Sequence, residues 1–449
     1  MTPKKLLVLT AVVAILFAFI VLFERKMPST ADRARKGELY WDLPEDRVTS
    51  VTLVRGPETV ELHKNGTSWR LLKPDAYPAD TFAVDGVVND LADMKRSGGA
   101  ENVDAKPADY GLEPPAAKAT FAWTEADDPE KKTRTVEFGH EVPGTDMVAA
   151  RLEGSTHVMF VPSSVLTGVR KPVDDFRSRD LLGGLSADAS RIEILRGRGR
   201  LILTKKDGIW WMTEPIADLA SPSEADRLVA QLTGARAKDF VHGNDDLAAM
   251  GLNPPLYRVT ITAGKEPPAS VDFGATRADG NSIYARREGQ IMTVDGEIVE
   301  ELSKEAEAYR STSAVAFNRG DVNAVEASFP DATFAVTRKD GGWTTSQGKP
   351  VLAGAADDLL SAILDLKGKS FLEEVEAKSF AAPVATVTVR MKAGAPWTIT
   401  LHPRTGVLAG RVSSRPGALL LDKDAASTIE AAFKKAIAEP TPVPTKKAK

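Results

Sequence analysis

The stretch RGRGRLILTKK gathers Arg196, Arg198, Arg200, Lys205 and Lys206 within a few residues. Such a cluster suits a phosphate or an anionic lipid surface, and it equally suits a hairpin whose charged edge discourages sheet-to-sheet pairing. Just downstream, Trp210 and Trp211 are neighbours on an apparent strand, so their rings point to opposite faces. One ring packs inward and the other is left for a partner, as exposed aromatics favour partner contacts. Arg198, Arg200 and Trp211 are therefore the candidate partner or ligand contacts. Other chemistry finds less support. His63, His140, His157, His242 and His402 are the only histidines, and none sits at metal-ligand spacing from another. The acid pairs Asp127-Asp128, Asp174-Asp175, Asp245-Asp246 and Asp357-Asp358 read as loop charge or helix-start residues that complement the dipole. Ser163-Ser164 lacks a nucleophile-elbow setting. Gly197-Arg198-Gly199 joins two strands rather than a strand and a helix, and no Walker or dinucleotide fingerprint occurs. With no cysteine, thiolate metal sites, disulfides and cysteine nucleophiles are excluded. The expectation is a chain without catalytic residues, cofactor or metal.

The elements that carry these residues repeat. Val48 to Pro74, Ala189 to Pro215 and Asp321 to Pro350 each read as strand, turn, strand, turn and strand. The second turn is Asn65-Gly66, Asp207-Gly208 or Asp340-Gly341, dipeptides that favour the tight turns of antiparallel hairpins. A tryptophan follows each: Trp69, Trp210 and Trp343, expected to anchor each module's core. A helical pattern comes next. Val84, Val87, Val88, Leu91 and Met94 form one apolar stripe. Leu228, Val229 and Leu232 form the second, after a Ser223 N-cap, and Leu359, Leu360, Ile363 and Leu364 form the third.

Then a phrase recurs: DYGLEPP at 109–115 and AMGLNPP at 249–255. Gly111 and Gly251 suit the left-handed end of a short turn, and the proline pair sends the chain on extended. The third copy reads FAAPVATVTV from Phe380 and lacks the Gly-Leu. Further strands follow, marked by Phe138-Gly139 and Phe273-Gly274 and by Arg151, Arg286 and Arg411, before closing helices at 163–169, 298–309 and 425–437. The sequence thus reads as α+β, with an N-terminal transmembrane helix followed by three repeated, mostly antiparallel modules. The segments are an anchor and linker at 1–39, modules at 40–184, 185–318 and 319–438, and a Pro- and Lys-rich tail at 439–449.

The anchor is expected at 6–23, LLVLTAVVAILFAFIVLF, which carries no charge. As a helix it would span about 27 Å, close to a bilayer's hydrocarbon core. Its flanks do not fix orientation: Lys4 and Lys5 precede it, and Arg25, Lys26, Arg33, Arg35 and Lys36 follow. A net charge of −4 gives no overall basic field, so a nucleic-acid partner is not expected.

An N-terminal apolar span followed by modules with a hairpin, Trp69 or Trp210, a helix and Gly111-Leu112-Glu113-Pro114-Pro115 or Gly251-Leu252-Asn253-Pro254-Pro255 resembles the bacterial domain-of-unknown-function family numbered 4340. The resemblance implies a single-pass protein of the cytoplasmic membrane whose bulk faces the periplasm or exterior. It further implies an accessory subunit or scaffold beside the permease and ATPase of an ABC-type transport system, and it carries over no catalytic residue. The alternative is a cell-envelope protein that binds glycan or lipid, with Trp211, Arg198 and Arg200 as first suspects.

Overall fold

The computed structural model describes residues 43–94, 106–125, 128–182, 185, 189–243, 246–265, 267–372 and 380–438. The expected segments 1–39 and 439–449 lie outside these residues. The chain divides into two compact units, Met1–Arg179 and Asp180–Lys449.

Alternating burial builds one sheet in the first unit. Val48–Arg55 lies in its interior. Two hairpins carry the chain outward on one side through Glu58–Asn65 and Ser68–Lys73 to the short edge strand Tyr77–Pro78. After the helix Thr81–Ala92, the chain returns to the other side of Val48–Arg55 with Ala117–Glu125, Asp128–Glu141, Met147–Leu152 and Met159–Pro162. Val51, Leu53, Val60, Leu62, Val148 and Ala150 point to the face covered by this helix and by Ser163–Val169.

The second unit contains two further sheets of the same winding. Ala189–Arg196 and Val322–Ser328 hold the position of Val48–Arg55. Each gains a strand after its helix, at the far edge: Ala237–Phe240 beyond Gln290–Asp295, and Ser370–Leu372 beyond Ala418–Asp422. Both residues of Asp207-Gly208 and of Asp340-Gly341 have positive φ, as the tight hairpin turn requires.

The α+β assignment is corrected by this architecture. The described chain is mainly antiparallel β, with strand outweighing helix by about two to one. Short edge strands lengthen the sheets, and a closing helix expected over 298–309 is only Ile298–Ser303, followed by a separate 3-10 turn. The chain becomes extended at Lys304, with ψ 134°, which breaks the helix. The expected transmembrane helix is not among the helices seen. No helix of the described residues is long and apolar enough to cross a membrane, and residues 6–23 lie outside them. The N-cap of Pro222–Gly234 is Ser221 rather than Ser223: its hydroxyl accepts from the Glu224 amide, and Pro222 takes the first helical turn, where its missing N–H costs nothing.

The repeated Gly-Leu turn has a physical partner. Gly111 and Gly251 are left-handed, with φ +68° and +66°, and Leu112 and Leu252 are fully buried. These leucines pack on the sheet face opposite the helices, Leu112 with Ala149 and Val158, Leu252 with Met250 and Ile291. The turn lies so close to the sheet that the strand beneath must lack a side chain. A Cβ on Gly139 would stand 2.0 Å from the Tyr110 carbonyl oxygen, and one on Gly274 would stand 2.2 Å from that of Met250. Gly139→Ala is therefore expected to destabilise the protein by about 1–3 kcal/mol through overpacking. Gly86→Ala, in a helix interior with open space around it, should stabilise by about 0.5–1 kcal/mol. Urea titration of both variants checks the pair, and an unaffected Gly139→Ala would contradict the close approach.

Candidate functional site

Each first-half tryptophan ties a hairpin to a helix. Trp69 Nε1 donates to Asp85 Oδ1 at 2.7 Å, and Trp210 Nε1 donates to Asp226 Oδ1 at 2.9 Å. Both indoles are buried, which makes that hydrogen bond necessary. A cation lies by each ring: Lys64 on Trp69, Lys205 on Trp210, and Arg338 on Trp343. Trp343 is only half-buried, in keeping with the divergence of the third copy.

The three candidate contact residues do not form one site. Trp211 does point away from Trp210, but its ring stacks on Trp397 of the third sheet at 5.7 Å between centroids and 16° between planes. It packs against the core that includes Leu219, Val322 and Leu359. Arg198 is exposed in the turn between Ala189–Arg196 and Gly199–Lys206. Arg200 is exposed too and pairs with Glu193 and Glu214 at 3.3 and 3.4 Å. Thr204, paired with Trp211, lies six residues along the strand from Arg198, or about 20 Å.

Sequence reasoning missed an enclosed charge cluster in the second unit. Asp218 is fully buried, and its carboxylate receives Arg310 Nε at 2.7 Å and Arg415 Nε at 2.6 Å. Arg310 follows the second sheet, and Arg415 lies in the turn between Val407–Val412 and Ala418–Asp422 of the third. Arg415 also donates to the backbone carbonyls of Ser311, at 2.7 Å, and of Ser313. Both guanidinium groups lie on Phe371. The connecting segment is held from both sides: the Ser311 amide donates to Leu219 O at 2.8 Å, and the Ala314 amide to Leu366 O at 2.7 Å. One clue was available: Asp218 is a lone acid within Ile216-Ala217-Asp218-Leu219-Ala220.

A second set of charges lies on the sheet faces opposite the helices. In the first sheet Lys118, Glu137 and Arg151 are cross-strand neighbours. Glu137 accepts from Lys118 Nζ and Arg151 Nε, both at 2.7 Å. Arg258, Asp272 and Arg286 take the same places in the second sheet. There Asp272 accepts from Arg258 at 2.6 and 3.1 Å and from Arg286 at 2.9 Å. The third sheet has Thr386, Thr400 and Arg411 at these places, with no carboxylate. Among the described residues no group of three or more His, Asp or Glu is disposed to hold a metal.

Burial pushes the Glu137 and Asp272 carboxyls up, but hydrogen bonds from their flanking cations outweigh it and hold both below the ordinary range. A depressed folded-state pKa stabilises the fold above the unfolded value, and that contribution is lost as pH falls through the folded one. Glu137→Gln should thus lose less stability than the unsubstituted protein as pH falls from 6 to below about 4, near the unfolded carboxylate values. Urea midpoints across this range test it; parallel acid limbs would contradict a stabilising role for the ionised carboxylate.

The fold and these clusters define a repeated antiparallel-sheet protein with paired helices on one face. The model of the family described as Domain of unknown function (DUF4340) matches residues 69–255 and 210–383. The chain belongs to that family. The matches begin at Trp69 and Trp210, the same point of the repeat, and the first ends on the proline pair of the second Gly-Leu phrase. Comparison with curated proteins gave no match.

Proposed function

We propose that the chain is a membrane-attached, non-enzymatic accessory or scaffold subunit acting outside the cytoplasm, in an ABC-type transport system. The observation that carries the scaffold reading is the use made of the chemically capable residues around Asp218. Asp218, Arg310, Arg415, Trp211 and Trp397 are all engaged with one another or with the chain in joining the second sheet to the third. Side chains so enclosed serve rigidity, because removing one partner of a buried ion pair costs about 3–5 kcal/mol. Attachment to the membrane rests on the uncharged stretch 6–23. The extracytoplasmic side and the transporter partners rest on the family resemblance.

The alternative, a glycan- or lipid-binding envelope protein, draws on exposed Arg198 at its hairpin turn. Trp211 favours it less, since its ring is stacked within the unit. Purification of the tagged full-length chain from mild-detergent membranes, with mass spectrometry of what co-purifies, separates the two. The scaffold reading expects a permease and its ATPase in stoichiometric amounts. Retention of envelope glycan or lipid without them would overturn it in favour of the alternative.

A further inference from the structure

The two complete cation–carboxylate–cation rows differ in one instructive way. In the first sheet both terminal nitrogens of Arg151 are engaged by the Gly-Leu phrase: Nη1 bonds Glu113 Oε1 at 3.2 Å, and Nη2 bonds the Leu112 carbonyl oxygen at 3.1 Å. Lys118 also reaches Glu153 at 3.1 Å. Two cations there face the carboxylates of Glu137, Glu113 and Glu153.

In the second sheet the phrase carries Asn253 where the first carries Glu113. Asn253 is exposed, and Arg286 contacts Asp272 without the additional bonds that Arg151 makes. Glu288, at the place of Glu153, pairs with Arg287. Arg258 and Arg286 thus share the single carboxylate of Asp272, and N–H donors of both guanidinium groups remain. Both arginines line a cavity of about 430 Å³, together with Ser270, Asp272, Glu288 and Gly289. That volume falls within the range of small-ligand sites. The first sheet shows what fits against such an arginine, since its own Glu113 does so.

We propose that Arg286 and Arg258 bind an external carboxylate in this cavity, in the role that Glu113 fills internally in the first sheet. Asp272 orients both guanidinium groups, and Glu288, the other carboxylate at the wall, pairs with Arg287. Ser270 adds a hydroxyl at its wall. Planar, forked donors favour a carboxylate over a spherical anion. The site stands independently of the transporter reading.

The test uses the full-length chain at constant ionic strength, with fluorescence anisotropy of dansyl-diglycine and of its C-terminal amide. The acid should bind at least about tenfold more tightly than the amide, as loss of a charge-assisted hydrogen bond implies. Arg286→Gln should weaken the acid by a similar factor. Asn253→Glu keeps both arginines and supplies an internal carboxylate, so it should abolish binding even if Arg286→Gln folds poorly. Acetate as competitor tells the source: displacement shows that a small carboxylate suffices, and its failure shows that the ligand is a peptide terminus with further contacts. Equal binding of acid and amide, no binding of either, or undiminished binding by Asn253→Glu would overturn the proposal.

Discussion

A carboxylate sealed from water must find cations, and Asp218 finds one from each side of a junction. Arg310 comes from the end of the second sheet's segment and Arg415 from a hairpin of the third. Neither arginine can withdraw without leaving buried charge behind, a cost of about 3–5 kcal/mol. Arg415 spends further donors on carbonyls of the connecting segment. The segment that might have been a hinge is thereby part of the packed structure, and the two sheets fall within one compact unit. The first sheet has Tyr77 at the place of Asp218, while Arg177 keeps the place of Arg310 and pairs with Asp75 and Asp174. The arginine thus serves a single sheet in one copy and a junction in the other.

Within each sheet a second constraint recurs. A buried indole must satisfy its N–H, and the helix acid at Asp85 or Asp226 does so. The helix is thereby fixed on one face while the Gly-Leu turn closes part of the other. That turn also sets the charge chemistry beside it: a glutamate in the phrase closes the row around Arg151, and an asparagine leaves the row around Arg286 open.

Much of the winding was legible because it follows from local pattern. Trp69 and Trp210 are buried core anchors, and the stripe from Val84 to Met94 is buried, as tryptophan recurrence and helical spacing imply. The balance of strand and helix was less legible, because two- to four-residue edge strands have no periodicity of their own and a break near Lys304 leaves no proline or glycine mark. Phe138-Gly139 and Phe273-Gly274 were visible as a recurrence, but their reason is a contact with a turn some 25 residues earlier in the chain, about which spacing is silent. Trp211 shows the same limit more sharply. Alternation places its ring on the outward face correctly, but whether that face meets solvent or a neighbouring sheet depends on Trp397, far along the chain. Asp218 and Arg415 are separated by 197 residues, so their pairing could not be read from either neighbourhood.

The buried Asp218 pairs and the hydrogen bonds around them lead to one physical claim: the second and third sheets open together, with a connection as well ordered as their strands. Native-state hydrogen exchange of the full-length chain tests this most directly, because it resolves local opening from global unfolding. The amides of Ser311, Ala314 and Gly368 are held by backbone acceptors across the junction. They should exchange with the same free energy as those of Val259 and Val387 in the strand interiors. Fast exchange at the junction, with the third sheet opening separately from the second, would contradict the claim.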